Sequence, residues 1–242
     1  MYSIFRKEIN SFFNSLIAYL VIAVFLSFIG LFLWVLPDSS ILEYGFADME
    51  SLFSFGPLAF LLLIPAITMR TFAEERKEGT IELLLTRPLT DWQIILGKYF
   101  SSLALVLFAL IPTLIYYISI YNLGNPSGNI DSAAVFSSYL GLFLLGAVYT
   151  SIGIFCSSIT KSQIVAFILA VILCYTLFDG MSRIASIDLW GDQANFITVL
   201  GLDYHYHALS KGLIDSRNVL YFLSVIFIML SSTKVMLGSR KW

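Results

Sequence analysis

Six long apolar stretches constrain this chain more than any other feature of its sequence. Each approaches the roughly 20 residues that an α-helix needs to cross a bilayer. Only 12% of the residues are charged, whereas about 25% is usual in a soluble domain. A lipid-exposed backbone must make its hydrogen bonds within its own segment, as a helix does. The sequence therefore predicts an all-α membrane protein with six transmembrane helices, over about Leu16–Leu36, Leu52–Phe72, Tyr99–Tyr121, Phe136–Ser157, Ile164–Met181 and Val219–Leu237.

The basic residues set the expected orientation of the six helices. When the chain is threaded through the bilayer, every Lys and Arg except Arg183, Lys211 and Arg217 falls on one side. Because loops rich in Lys and Arg stay in the cytoplasm, we expect both termini there, in a multi-pass protein of the inner membrane. The formal net charge of −2 gives no reason to expect a nucleic-acid partner.

The longest charged segment, Arg70–Lys98, lies between the second and third spans. Within it, Ile81, Leu84 and Leu85 share one side of a helix, which predicts a short amphipathic helix on the membrane surface. A continuous helix would stack three like charges, Glu74, Glu78 and Glu82. The pattern therefore predicts either a break at Gly79–Thr80 or a docked basic surface, and a solvated loop remains an alternative.

Proline and capping patterns mark further boundaries. Pro88 would end the amphipathic helix, and Thr90 with Gln93 forms a capping box that would begin the next one. Pro65 and Pro112 fall inside predicted spans, where each removes a backbone hydrogen bond. We expect kinks at both.

Several shorter patterns predict local structure. Residues Met1–Ser15 alternate apolar and basic side chains, which favours an interfacial amphipathic helix. The region Asp179–Asn218 predicts short helices on the outer face. In the fourth span, small residues lie on one face and favour close helix packing, within the chain or across a dimer: Gly146, Thr150 and Gly153, followed by Ser157.

Two potential chemical sites are weak. Asp203, His205 and His207 would line one face of a strand, but no Cys or second acidic cluster accompanies them, so we predict no metal site. Cys156 and Cys174 fall at different depths of the bilayer, and we expect them to stay unpaired.

Catalytic motifs are missing from the sequence. It has no G-x-x-x-x-G-K-[ST] loop for ATP phosphates, no H-E-x-x-H and no G-x-S-x-G. The spans are almost free of ionisable residues, which disfavours an intramembrane enzyme or an ion-coupled secondary transporter. A transport subunit that uses ATP bound by another chain fits best. A non-transporting scaffold and, less well, an intramembrane enzyme remain alternatives.

Three stretches carry a family resemblance: Lys7–Trp34, Thr71–Phe100 and Gly212–Phe222. The most specific part is the run ERKEGT at Glu75–Thr80. Together they resemble the permease of ABC-2 type transporters, most closely the one associated with gliding motility in Bacteroidetes, with the permease of the nitrous-oxide-reductase maturation system as a near relative. Leu16 departs from the family, which often has proline at this position.

The resemblance implies one ABC-2 permease domain over residues 1–242, with residues 70–98 as a cytoplasmic coupling segment that inserts into an ABC ATPase subunit. It also implies a second permease subunit, in a homo- or heterodimer, and export across the cytoplasmic membrane. ATP and magnesium would be bound by the ATPase, so this chain needs no cofactor. The expected coupling residues, including all three of the apolar stripe, are Glu75, Glu78, Gly79, Thr80, Ile81, Leu84 and Leu85.

Overall fold

The computed structural model describes residues 1–37, 39–44, 47–81, 89–187, 194–212 and 214–238. Every regular element in these ranges is helical. The helices are α1 (Tyr2–Phe13), α2 (Leu16–Trp34), α3 (Ile41–Tyr44), α4 (Glu50–Thr68), α5 (Arg70–Lys77), α6 (Asp91–Leu110), α7 (Leu114–Leu123), α8 (Ser132–Ile159), α9 (Gln163–Tyr175), α10 (Met181–Ala185), α11 (Ala194–Val199), α12 (Leu202–Ser210) and α13 (Ser216–Gly238).

The predicted membrane class is confirmed. Among the described residues, five helical stretches are long and apolar enough to cross a bilayer: Glu50–Lys77, Asp91–Leu123, Ser132–Ile159, Gln163–Ala185 and Ser216–Gly238. The bent pair of α1 and α2 makes a sixth if it is counted as one span. Ser15 between them has an extended backbone with φ −101° and ψ 146°, which ends one helix direction and starts another.

Helix α8 forms the centre of the bundle. Of its most apolar 18 residues, 83% are buried, whereas 22% are buried in the corresponding window of α13. Helices α4, α9, α12 and α13 all pack against it. Gly56 near the start of α4 lies against Leu142 of α8, and Thr68 at the end of α4 lies against Gly153 of α8. Because residue numbers rise in the same direction along both helices, α4 and α8 are parallel.

Prolines account for only some of the breaks in regular α-helix geometry within the spans. Pro112 lies in a 3-10 turn, Ile111–Thr113, between α6 and α7, at the position where the sequence predicts a kink. Pro65 lies inside α4, which continues to Thr68 before α5 begins. A π-helical segment, Thr176–Gly180, joins α9 to α10 and has no counterpart in the sequence prediction.

Several local predictions can be compared with the structure. The amphipathic amino-terminal segment is helix α1, with Ile4 and Phe12 buried. The region after Asp179 contains the predicted short helices α10, α11 and α12. Cys156 and Cys174 are both free and buried.

The strand predicted for Asp203, His205 and His207 is wrong, because these residues belong to helix α12. On a helix, Asp203 and His207 are one turn apart and pair at 3.1 Å, while His205 is directed elsewhere and bonds Asn218 at 2.8 Å. Among the described residues, no group of three or more potential ligands could hold a metal ion.

Candidate functional site

Helix α5 carries the first part of the predicted coupling segment, and a serine from α8 fixes where it begins. The backbone N–H groups of Phe72 and Ala73 each donate to Ser157 Oγ at 3.0 Å. The Ser157 hydroxyl in turn donates to the carbonyl of Met69 at 2.9 Å. The first N–H groups of a helix have no partner within it, so Ser157 supplies the cap that the local sequence lacks. Helix α5 is thereby attached to the central helix.

A buried lysine ties α5 to two further helices. Lys98 in α6 is 1% exposed, and its Nζ donates to Glu8 Oε1 of α1 at 2.9 Å and to Glu75 Oε1 of α5 at 3.0 Å. It also donates to the Thr71 carbonyl at 2.7 Å and lies 5.1 Å from the ring centroid of Phe72. All three ammonium N–H groups therefore have an acceptor. We call the contact of α1, α5 and α6 around Lys98 the charged junction.

The formal charges of the charged junction balance. Lys7 of α1 approaches Glu75 at 3.5 Å and Glu8 at 3.9 Å, so two cations face two carboxylates. Glu75 Oε2 is buried without a hydrogen-bond partner in the described structure. Removing one partner from a buried ion pair leaves an uncompensated charge, which costs roughly 3–5 kcal/mol. The three helices are therefore held as one unit.

Helix α5 ends where the sequence predicts a break. Its last residue is Lys77, and Gly79 follows at φ +72°, in the left-handed region that glycine adopts without steric cost. Among the described residues, none lies within 4 Å of the position that a Gly79 Cβ would occupy. The turn from Lys77 to Thr80 is exposed, and we call it the exposed turn.

The predicted coupling residues fall into three environments. Glu75 is directed into the charged junction, whereas Glu78, Gly79 and Thr80 belong to the exposed turn. Ile81 is half-buried and packs against the apolar core. Leu84 and Leu85 lie outside the described residues, as does Glu82.

Arg76 is a further polar group at this site. It is 8% exposed, and its Nε and Nη2 atoms have no hydrogen-bond partner among the described residues. A buried guanidinium with unpaired donors favours an acidic partner. Arg76 lies one residue before Lys77, so it borders the exposed turn.

The small residues of α8 lie against neighbouring helices of the same chain. A Cβ at Gly146 would meet Val106 at 2.9 Å and Phe60 at 3.2 Å, and one at Gly153 would clash with Thr68 Oγ1. Thr150 is fully buried, and its hydroxyl donates to the Gly146 carbonyl at 2.7 Å. Glycine at these positions allows α8 to approach α4 and α6 closely.

Sequence reasoning missed the contacts of Lys98, Glu8 and Ser157. Lys98 was visible as the last charge before an apolar span, where a buried lysine needs a partner. Its partner Glu8 is 90 residues away, however, and no local pattern identifies it. The sequence pattern identifies Ser157 only as a small residue of the fourth span, whereas in the structure its hydroxyl caps α5.

Comparison with known proteins gives a consistent result. Residues 2–238 match the family described as ABC-2 family transporter protein. Over 135 residues the chain is 29% identical to the probable multidrug ABC transporter permease YbhR of Escherichia coli strain K12, and equally to that of Escherichia coli O157:H7. The aligned region covers 56% of this chain and only 33% of each relative.

Proposed function

We propose that this chain, which belongs to the ABC-2 family of transporter proteins, is the membrane-spanning permease subunit of an ATP-driven export complex. Permeases of this family normally work with an ABC ATPase. In this proposal the ATPase binds ATP and magnesium, and a second permease subunit, identical or different, completes the complex in the inner membrane. The missing phosphate-binding loop supports hydrolysis on another chain.

One observation supports the coupling function above the others. The exposed turn continues directly from α5, and α5 is held by the Lys98 ion pairs to α1 and α6 and by Ser157 to α8. A displacement of the turn by a docked ATPase would therefore move several membrane helices together.

The direct test is to remove the apolar contact that the coupling segment would make with the ATPase. We expect Ile81→Asp with Leu85→Asp to insert normally, since no span is changed, and to lose the ATPase in affinity purification. Because Ile81 also packs against the core of this chain, the melting temperature of the purified variant is compared with that of the parent, and it should stay close to it. Burying each large apolar side chain stabilises an interface by about 1.5–3 kcal/mol, so losing two weakens docking strongly.

The matched control places the same two changes far from the exposed turn. Ile187 and Ile214 are 49% and 55% exposed, in connections beyond the ends of α10 and α12. Ile187→Asp with Ile214→Asp should retain the ATPase. If the Ile81 and Leu85 variant retains it equally well and still supports transport in proteoliposomes, the segment is a solvated loop and the coupling proposal is wrong. Native mass spectrometry of the same complex counts its permease chains.

The orientation is tested by labelling single cysteines with an impermeant reagent. The native Cys156 and Cys174 are buried, which keeps the background low. In intact cells we expect Asn129→Cys to react and Thr80→Cys to stay unlabelled until the membrane is opened. Labelling of Thr80→Cys in intact cells would reverse the proposed orientation.

A function in gliding motility is the narrower proposal, and the resemblance of Lys7–Trp34, Thr71–Phe100 and Gly212–Phe222 supports it. Replacing the chromosomal gene of the native host by the Ile81 and Leu85 variant should abolish gliding if the complex acts as a transporter. Normal gliding in cells whose complex no longer transports would favour the scaffold alternative.

A further inference from the structure

Helix α1 directs its charged side chains in two opposite directions. Glu8 is turned inward, where it accepts from Lys98 at 2.9 Å and is only 13% exposed. Arg6 and Lys7 are turned outward, and the Lys7 side chain is 63% exposed. The other exposed polar residues of α1 carry no charge: Ser3, Asn10 and Ser11. The outward side of α1 therefore presents two cations and no carboxylate, and we call it the basic face.

Neither cation of the basic face is firmly held within the chain. The Arg6 side chain forms no ion pair or hydrogen bond with any residue that the structure describes. Lys7 lies 3.5 Å from Glu75 and 3.9 Å from Glu8. Lys98 approaches the same two carboxylates at 3.0 Å and 2.9 Å. An ion pair whose cation is mostly in solvent contributes little to stability, so both outward cations can turn to an anion from outside the chain.

The surroundings of the basic face are those of a membrane surface. On the opposite side of α1, Ile4 is buried against α6, where a Cβ at Gly97 would meet it at 2.9 Å. Tyr2, one turn before Arg6, is exposed, and so is Leu16 at the start of α2. Aromatic and apolar side chains exposed next to cations are typical of the level of the lipid headgroups. An acidic protein surface in water would leave Tyr2 and Leu16 without an apolar neighbour.

Lys7 also connects the basic face to the helix that precedes the exposed turn. Its ammonium is the outer of the two cations of the charged junction, which holds α5 through Glu75. One oxygen of that carboxylate, Oε2, is already buried without a hydrogen-bond partner among the described residues. If Lys7 turned to a phosphate, Lys98 alone would compensate two carboxylates. The uncompensated charge would then weaken the attachment of α5.

We propose that the basic face of α1 binds the phosphate of an anionic phospholipid, and that this binding loosens α5 by withdrawing Lys7 from the charged junction. Arg6 and Lys7 contact the phosphate, since basic residues at the membrane surface are attracted to anionic headgroups. The lipid composition of the membrane thereby regulates the coupling segment. This regulation rests on the proposed coupling function, whereas lipid binding itself does not require the ATPase.

Lipid binding is tested by native mass spectrometry of the full chain in detergent, titrated with phosphatidylglycerol or with phosphatidylcholine that has the same acyl chains. We expect the chain to retain phosphatidylglycerol in preference to phosphatidylcholine. Arg6→Gln with Lys7→Gln should lower the affinity for phosphatidylglycerol about 30-fold, because each basic residue near an anionic lipid surface contributes about fivefold. The matched control, Lys161→Gln with Lys211→Gln, removes two exposed cations outside α1 and should bind as the parent does.

Two results would overturn the lipid site. One is equal retention of the two lipids by the parent, and the other is an unchanged affinity for phosphatidylglycerol in the Arg6 and Lys7 variant. If that variant binds lipid as before but loses the ATPase in affinity purification, the basic face belongs to the protein partner and the lipid proposal is wrong.

The effect on α5 is measured by amide hydrogen exchange of the full chain in nanodiscs of phosphatidylcholine, with and without phosphatidylglycerol. We expect the amides of α5 to exchange several-fold faster when phosphatidylglycerol is present. In Lys7→Gln they should exchange fast in both membranes, because the outer cation is already missing. Exchange in the parent that does not respond to phosphatidylglycerol, or a response that persists in Lys7→Gln, would contradict the regulation of α5.

Neither lipid measurement contains the ATPase, so its result is separate from the coupling proposal. Failure of selective lipid binding removes only the lipid site on α1. Loss of the coupling proposal requires the different result that the Ile81 and Leu85 variant retains the ATPase.

Discussion

The charged junction differs in its charge balance from the distal cavity, which lies between the first residues of α4 and α8, the segment Thr176–Gly180 and α12. At the junction, Lys98 is 1% exposed and bonds two carboxylates and a carbonyl, so its charge is fully engaged inside the protein. At the distal cavity, Asp179 pairs with Arg183 and Asp203 pairs with His207, but the lining carboxylates still outnumber the cations. Compensated buried charges hold helices in a fixed relation, whereas an uncompensated excess does not. The comparison separates a region whose charges are balanced within the fold from one whose charges are not.

The largest effect is expected from Lys98→Met, which breaks the charged junction. It leaves the carboxylates of Glu8 and Glu75 together without their buried partner, at a cost of about 3–5 kcal/mol in the free energy of unfolding. Unfolding by SDS in mixed micelles measures this loss. Lys161→Met, at an exposed position in the short connection between α8 and α9, is the control and should change stability by less than about 0.5 kcal/mol.

A triple variant distinguishes charge from packing. Adding Glu8→Gln and Glu75→Gln to Lys98→Met removes the uncompensated charges, and most of the lost stability should return. If the triple variant is as unstable as Lys98→Met alone, the lysine acts through its volume and the junction is not electrostatic.

Ser157→Ala should have the next largest effect. It leaves the N–H groups of Phe72 and Ala73 buried without an acceptor, which costs about 1–3 kcal/mol. Ser119→Ala is the control, because that exposed hydroxyl donates only within its own helix. Equal stability of the two variants would show that α5 does not depend on its attachment to α8.

Gly79→Ala tests the exposed turn itself. The left-handed φ of +72° costs a residue with a Cβ about 1 kcal/mol, although no residue that the structure describes lies within 4 Å of the added methyl group. We expect slower ATP-driven transport with the complex still assembled, and a greater loss with Gly79→Pro, whose φ is fixed near −65°. Gly238 likewise has no neighbour within 4 Å in the described part of the chain and lacks a positive φ, so Gly238→Ala should behave as the parent does.

The smallest effect concerns the pH dependence at the distal cavity. Burial raises the pKa of the Asp203 carboxyl above its ordinary 3.8, with His207 lowering it and Asp179 raising it. The folded chain therefore keeps this proton to a higher pH than the unfolded chain does. The free energy of unfolding consequently falls as the pH rises from the ordinary pKa to the raised pKa of Asp203. Asp203→Asn should melt at or above the parent temperature at pH 7 and lose this advantage as the pH falls below the raised pKa. A variant that melts lower than the parent at pH 7 would show that the pair with His207 dominates instead.

Features that depend on neighbouring residues could be predicted from the sequence. The spans follow from length and hydropathy, and the helix break follows from Gly79, which is the left-handed residue after α5. The capping box of Thr90 and Gln93 is present with both of its hydrogen bonds at the start of α6.

Features that depend on distant residues could not be predicted. Lys98 meets Glu8 across 90 residues, and Ser157 meets Phe72 across 85, so no sequence spacing reveals either contact. The segment from Asp203 to His207 is too short to show whether its polar residues repeat every two positions, as on a strand, or every four, as on a helix. The i, i+4 pair of Asp203 and His207 fits a helix equally well. The distal cavity combines four elements and is visible only in three dimensions.

The most direct test of the coupling function is photo-crosslinking from the exposed turn. A benzoylphenylalanine at position 80 of the chain, expressed in its native membrane, is irradiated and the product is identified by mass spectrometry. The account predicts a cross-link from Thr80 to a protein that contains an ATP-binding G-x-x-x-x-G-K-[ST] loop, and none from the same probe at Asn129. An ATPase that copurifies with the chain but cross-links from Asn129 and not from Thr80 would contradict it.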